Sequence, residues 1–149
     1  MLRDEREIAL NDILIACRRS ADHFLQAREL GVNKKLTELF DSMANRRNLD
    51  AGKLSGIVRG FGYLPDEPDS DRQDFSHLIT LTRSAVTSDR GRMLLEKAVE
   101  LEVELDQKID GALVFDWGGN TPSLLRDIRA SSRRCCEEMA EIMTRRRAG

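Results

Sequence analysis

The chain has 149 residues, with 24 Lys and Arg against 26 Asp and Glu and a formal net charge of -2, so bulk charge indicates neither a nucleic-acid partner nor an anionic membrane. One domain spanning residues 1–149 is expected at this length, and 5% aromatic with 34% charged residues favours long solvated helices over strands. No apolar run approaches the roughly 20 residues of a membrane span, and the charged first residues are unlike a signal peptide. Three cysteines do not make a disulfide framework. We therefore expect a cytoplasmic protein with reduced thiols.

The first predicted helix runs from about Leu2 to Leu30. Its apolar seam alternates steps of four and three, the spacing of a helical core stripe: Leu10, Leu14, Cys17, Ala21 and Phe24. Gly31 is expected to end this helix and Asn33 to cap the next one. Because only a short turn separates them, the first two helices are expected to be antiparallel neighbours.

The second predicted helix runs from about Lys34 to Gly60 and keeps the same rhythm of fours and threes. Its predicted seam contains two charged residues at the centre: Leu36, Phe40, Met43, Arg47, Asp50, Leu54, Ile57 and Phe61. A stretch from about Gly62 to Thr87 then begins with an acidic loop and continues as a short helix, opened by a capping box at Ser70 to Gln73. This stretch is long enough to cross from one end of a bundle to the other.

Two more long helices complete the chain. The third runs from about Arg90 to Phe115, and its predicted stripe is Leu94, Ala98, Leu101, Leu105, Ile109 and Ala112. Thr121 and Pro122 are a cap and a first helical residue for the last helix, whose stripe is Leu125, Ile128, Ser132, Cys135, Met139 and Ile142. Four long helices with one long connection after the second predict a bundle with one crossover.

Three short motifs resemble a bacterial ferritin-like family of unknown function. They are Leu10 to Leu14 in the first helix, Leu39-Phe40 in the second, and Ala98 to Glu102 in the third long helix, within a resemblance that covers about Ile8 to Ile142. The resemblance implies an all-α, ferritin-like four-helix bundle with an additional short crossover helix, in a small bacterial cytoplasmic protein. Glu102 matches an acidic position of the family, whereas Ala21, Asp50 and Cys135-Cys136 depart from its pattern.

The charged residues of the second helix lie at its midpoint, where antiparallel packing brings the midpoints of all four helices to similar height. Arg47, Asp50 and Glu102 are therefore predicted to form a mid-bundle polar cluster, because small residues in the first and last helices leave space for the arginine. A guanidinium can bind a carboxylate at two points, and a buried charge is tolerated only when it is paired. Three interpretations stay open: a buried ion pair in the space that a metal fills in ferritins, a solvated edge of the seam, or a metal or catalytic role.

A metal-binding protein with a degenerate mid-bundle carboxylate site is the alternative function, with Asp50 and Glu102 as ligands and Asp127 and His23 as further candidates. A dinuclear carboxylate site needs several oxygen ligands and usually histidine, yet Glu-x-x-His occurs nowhere in the sequence. Asp74 and His77 lie three apart on the predicted crossover helix, a spacing that chelates a single metal weakly. We therefore expect no cofactor and no catalytic residue.

The cysteines raise a third class of function, a thiol-based redox sensor. Cys17 and Cys135 fall on core stripes and are expected to pack in the interior. Cys136 is adjacent to Cys135, so both cannot point inward, and Arg133 and Arg134 nearby would favour a thiolate at an exposed Cys136. Whether Cys136 is reactive is left open by the sequence.

The sequence as a whole favours a non-enzymatic structural or protein-interaction module with a protein partner of unknown kind. A link to stress physiology comes from the family resemblance alone. A homodimer is expected, since apolar residues outside the main stripe broaden the third long helix: Leu95, Val99, Val103 and Leu113.

Overall fold

Four long helices form the regular structure of the described part of the chain, which in this computed structural model comprises residues 4–30, 32–62, 81–82 and 87–148. They are α1 (Glu5–Ala27), α2 (Lys34–Gly60), α3 (Thr87–Ala112) and α4 (Thr121–Ala148). Leu81 and Thr82 are also helical, and no strand occurs within these ranges. None of the helices in the described ranges is long and apolar enough to cross a membrane. The prediction of an all-α helical bundle is confirmed for this part of the chain.

Polar side chains set the starts of the first two helices. Asp4 is the N-cap of α1 and accepts a hydrogen bond of 2.8 Å from the backbone N–H of Arg6, so α1 begins at Glu5. The predicted start, Leu2, lies outside the described residues. Asn33 caps α2 as predicted, accepting a hydrogen bond of 2.9 Å from the backbone N–H of Leu36. Both caps satisfy N–H groups that have no partner within their own helix.

The directions of the helices follow from contacts between their ends. Arg6 at the start of α1 donates a hydrogen bond of 3.3 Å to the carbonyl oxygen of Asp116, just after α3. Arg90 near the start of α3 donates one of 2.8 Å to the carbonyl oxygen of Leu30, just after α1. These two contacts at opposite ends make α1 and α3 antiparallel neighbours.

The second helix also runs antiparallel to the first. Arg28, the C-cap of α1, forms an ion pair of 2.5 Å with Asp41 in the first half of α2. Because α1 opposes both α2 and α3, those two helices are parallel, and α2 ends at the opposite end of the bundle from the start of α3. The predicted crossover requires this connectivity. Almost all of the predicted crossover stretch, the loop and short helix from about Gly62 to Thr87, lies outside the described residues.

A polar layer divides the apolar core into two clusters. One cluster joins the first half of α1 to the second halves of α2 and α3, with Leu14, Leu54 and Leu105 among its members. The other joins the remaining halves and includes Phe24 and Phe40, whose ring centroids are 6.0 Å apart. In the described bundle, α1 packs against α2 and α3, and α3 packs against α4, whereas α2 and α4 touch only over a short stretch.

The predicted core stripes of α1, α3 and α4 are buried throughout, which confirms the interpretation of their apolar periodicity. The prediction for α2 is wrong in part. Three of its predicted seam residues are only half-buried: Met43, Ile57 and Phe61. Three small or β-branched residues of α2 are buried in their place: Ala44, Ala51 and Val58.

The apolar residues that broaden the third long helix serve the core of the chain itself. Leu95 is fully buried, and Val99 and Leu113 pack against the two core clusters. Val103 alone is substantially exposed, at 42%. Three of the four residues on which the homodimer was expected thus pack within the chain's own core, and the homodimer stays a prediction.

Candidate functional site

The polar layer is centred on Arg47, whose side chain is completely buried at the middle of α2. Its guanidinium faces Glu102 on α3, which is also fully buried. Nε of Arg47 donates a hydrogen bond of 2.9 Å to Oε2 of Glu102, and Nη2 donates to Oε1. The two groups thus form a bidentate pair, the geometry in which a planar guanidinium binds a carboxylate most strongly.

The third nitrogen of the Arg47 guanidinium, Nη1, donates hydrogen bonds to two other side chains. Nη1 donates to Oδ2 of Asp50 at 2.9 Å and to the hydroxyl of Ser131 on α4 at 3.3 Å. Asp50 is nearly buried, and its Oδ1 lies 3.4 Å from Nε of Arg46, whose side chain is 42% exposed. Arg46 therefore pairs with Asp50 at the edge of the layer that faces solvent.

Glu102 is the residue that joins all four helices. The hydroxyl of Ser20 on α1 donates a hydrogen bond of 2.7 Å to its Oε2, in addition to the two bonds from Arg47. The hydroxyl of Ser132 on α4 donates one of 2.9 Å to the backbone carbonyl oxygen of Glu102. Each of these two serines therefore supplies a hydrogen bond to Glu102.

The charges of this layer balance. Arg46 and Arg47 carry two positive charges, and Asp50 and Glu102 carry two negative ones. Burial lowers the pKa of the Arg47 guanidinium, but its hydrogen bonds to Glu102 and the charges of Glu102 and Asp50 raise it by more, so the net shift is upward. Arg47 is therefore a cation at neutral pH.

Two buried thiols lie beside the charged groups. Burial raises the pKa of Cys17 and of Cys135, and the neighbouring carboxylates add to the shift for both. All three cysteines are free thiols. Cys17 and Cys135 are thus neutral packing residues, as expected from their core stripes.

Cys136 is not the thiolate that its arginine neighbours suggested. It is half-buried, and burial, with the negative charges of Glu102 and Asp106, raises its pKa to about 11. Arg133, which was expected to favour the thiolate, instead pairs with Asp106 at 3.0 Å. The prevailing local charge opposes ionisation of this cysteine.

His23 lies in the α1–α3 interface and not at a metal site. It is 2% exposed, and its Nε2 lies 2.9 Å from the carbonyl oxygen of Leu94, which can only accept, so the proton sits on Nε2. Burial lowers its pKa to about 4. Its position beside the main apolar stripe of α1 is the reason why the sequence pattern did not place it on a seam.

The donor set does not fit a di-metal centre. Within the described ranges, no group of three or more His, Cys, Asp or Glu side chains could hold a metal ion. Asp50 and Glu102 come together, but Arg47 uses their oxygens. Asp127 is exposed and does not join them, and Asp74 and His77 lie outside the described residues.

The structure brings Arg47, Asp50 and Glu102 together and adds two residues that the sequence pattern did not assign to the cluster, Ser20 and Ser131. Comparison of the chain with protein-family models, with curated proteins and with solved structures found no match in any of the three. The resemblance to a ferritin-like family therefore rests on the short motifs of the three helices, and the geometry of the polar layer is the main indication of function.

Proposed function

We propose that the chain is a non-enzymatic helical-bundle protein, a structural or protein-interaction module whose polar layer holds its four helices in a single register. The observation that carries this proposal is the set of partners around Glu102. It receives hydrogen bonds from Ser20 on α1, Arg47 on α2 and, at its backbone carbonyl, Ser132 on α4. No helix can slide past α3 without breaking at least one of these contacts.

The physical reason is the difference between apolar and charged contacts. The two apolar clusters consist largely of Leu, Ile, Ala and Phe side chains, which tolerate alternative packings of similar volume. A slip of one helical turn would separate Arg47 from Glu102 and leave a charge buried without a partner, which is strongly unfavourable. The layer thus penalises incorrect registers far more than it stabilises the correct one.

The same contacts argue against the metal-binding alternative. A cation that bound Asp50 and Glu102 would have to displace a guanidinium that forms three hydrogen bonds with them. It would also meet the positive charge of Arg47, which the raised pKa keeps in place. We therefore favour a site in which arginine replaces the metal.

Other features support the wider setting of the proposal. The parallel arrangement of α2 and α3 supports a ferritin-like bundle with one crossover. Free thiols support a reducing, cytoplasmic setting. A role in a bacterial stress response is supported only by the family resemblance.

Elemental analysis of the full chain, purified without a metal-affinity tag, tests this function. We expect substoichiometric iron, manganese and zinc. Arg47→Ala provides a control, because it removes the guanidinium from Glu102 and from Oδ2 of Asp50. This variant should bind added Mn²⁺ more tightly than the unmodified chain, while Arg47→Ala/Glu102→Gln should lose that gain. Stoichiometric metal in the unmodified protein would overturn the proposal.

A further inference from the structure

One face of α2 is exposed along almost the whole helix. Leu49, near the middle of the helix, is 64% exposed and is the most exposed large apolar side chain in the described helices. Residues on the same face follow it in both directions at helical spacing, and all are exposed: Glu38, Ser42, Asn45, Lys53, Gly56 and Gly60. We call these residues, together with Leu49 and Gly52, the α2 face. Protein interfaces surround an apolar centre with a polar rim, and Leu49 is the large apolar side chain at the centre of this face.

The glycines of this face are not required by close packing within the described part of the chain. A Cβ atom built at Gly52, Gly56 or Gly60 meets no described atom within 4 Å. Their φ angles are not positive, so the backbone does not require glycine either. Glycine weakens an exposed helix relative to alanine, and what it permits is the close approach of another helix, since interaxial distance depends on the side chains at the contact.

We propose that the α2 face docks on the α2 face of a second copy of this chain, with the two helices antiparallel about a twofold axis at Leu49. The inference rests on the proposed function, an interaction module, and names its partner. A twofold contact must be self-complementary. This one places Glu38 opposite Gly60 and Ser42 opposite Gly56, so the side chains of one half meet the glycines of the other.

The charges of α2 select the antiparallel arrangement. Arg59 is exposed near the end of the helix. Asp41 in the first half of α2 is already paired with Arg28. The side chain of Glu38, in contrast, is 67% exposed and forms only a loose pair with Lys34, at 4.0 Å. In the antiparallel pair, Arg59 of each copy lies beside Glu38 of the other, and the twofold axis makes this contact twice. A parallel pair would set Arg59 against Arg59. The first arrangement is attractive and the second repulsive.

The size of the face sets the strength of the contact. From Glu38 to Gly60 the helix is roughly 33 Å long. A single pair of helices buries less than the roughly 1,200–2,000 Å² of a stable complex, so a weak dimer with a dissociation constant in the micromolar range is expected.

Sedimentation equilibrium of the full chain, from roughly 1 to 300 µM, tests the dimer over the range where such a contact associates. Leu49→Glu sets two like charges on the axis and should be monomeric throughout. Val103→Glu is the matched control on α3, and it should associate like the unmodified chain. Arg59→Glu should weaken the dimer about tenfold, and adding Glu38→Arg should restore it. A monomeric unmodified chain, or equal behaviour of the two glutamate variants, would overturn the proposal.

Gly56→Ala tests whether a second copy, and not the chain itself, covers the α2 face. If a second copy covers it, the variant should dimerise more weakly, while its monomer melts at a higher temperature because alanine favours the helix. A lower melting temperature of the monomer would mean that the chain's own residues cover the face, and an unchanged dimer would mean that the glycines lie outside the contact. Either result would contradict a dimer formed through the α2 face. The proposed function is tested separately, by the metal content of the protein.

Discussion

Replacing Arg47 by Met removes the cation of the polar layer and keeps an unbranched side chain in its place. Glu102 then loses both hydrogen bonds from the guanidinium and keeps only that of Ser20 to its carboxylate, at a fully buried position. Removing one partner of a buried pair costs roughly 3–5 kcal/mol. Because domains of this size are stable by about 5–15 kcal/mol, the variant should fold, with its midpoint of unfolding in urea lowered by roughly 2 M.

Urea titrations followed by far-UV circular dichroism give the free energies of unfolding. Arg47→Met/Glu102→Met should recover much of the loss, because no unpaired carboxylate remains at α3 and Asp50 keeps its contact with Arg46. Arg133→Met is a matched control, since the side chain of Arg133 is 54% exposed and its ion pairs should contribute less than about 1 kcal/mol. The buried pair is refuted if Arg47→Met costs no more than this control, or if the double variant is less stable than Arg47→Met alone.

Two further predictions concern buried groups near the layer. The unfolded chain protonates His23 near pH 6.5, as unperturbed histidine does, but burial holds the pKa in the folded chain at about 4. The free energy of unfolding should therefore decrease as the pH falls from about 6.5 to about 4, by up to about 3 kcal/mol. In His23→Gln this dependence of stability on pH should be weaker. An unchanged dependence would contradict the burial of a neutral His23. Cys136, whose pKa burial raises to about 11, should react with iodoacetamide near neutral pH much more slowly in the folded chain than in urea. Equal rates in the two states would contradict its half-buried position.

Apolar periodicity was enough to predict the buried faces of three helices but not that of α2. The predicted stripe of α2 advances 3.5 residues per turn, and such a stripe drifts by about 20° per heptad around a straight helix. Over the length of α2 the drift carries the end of the stripe off the core, so Ile57 and Phe61 are half-buried while Val58 is buried. Drift does not account for Met43, because Phe40 before it and Arg47 after it are both buried. The stripe of α1 extends over fewer turns, so the same drift of a 3.5-residue repeat displaces it little from the core.

Charge made part of the site visible in the sequence. Arg47 and Asp50 interrupt an apolar seam, which is a strong signal, and Glu102 lies next to a core leucine at the matching height. Ser20 and Ser131 carry no such signal, because a serine beside a core stripe is equally compatible with simple small-residue packing. Only the placement of the helices shows that their hydroxyls reach Glu102 and Arg47.

The missing Glu-x-x-His motif and the buried arginine are best understood as one feature. A di-metal carboxylate centre in a bundle uses two single glutamates and two Glu-x-x-His pairs, so that several carboxylates balance two multiply charged ions. Here the cations are two guanidinium groups, and two carboxylates balance them. Additional carboxylates would leave buried negative charge without a partner, at a cost that no nearby cation could offset. Further buried carboxylates would therefore destabilise a bundle whose centre is occupied by Arg47, because the two negative charges present already balance the two guanidinium groups.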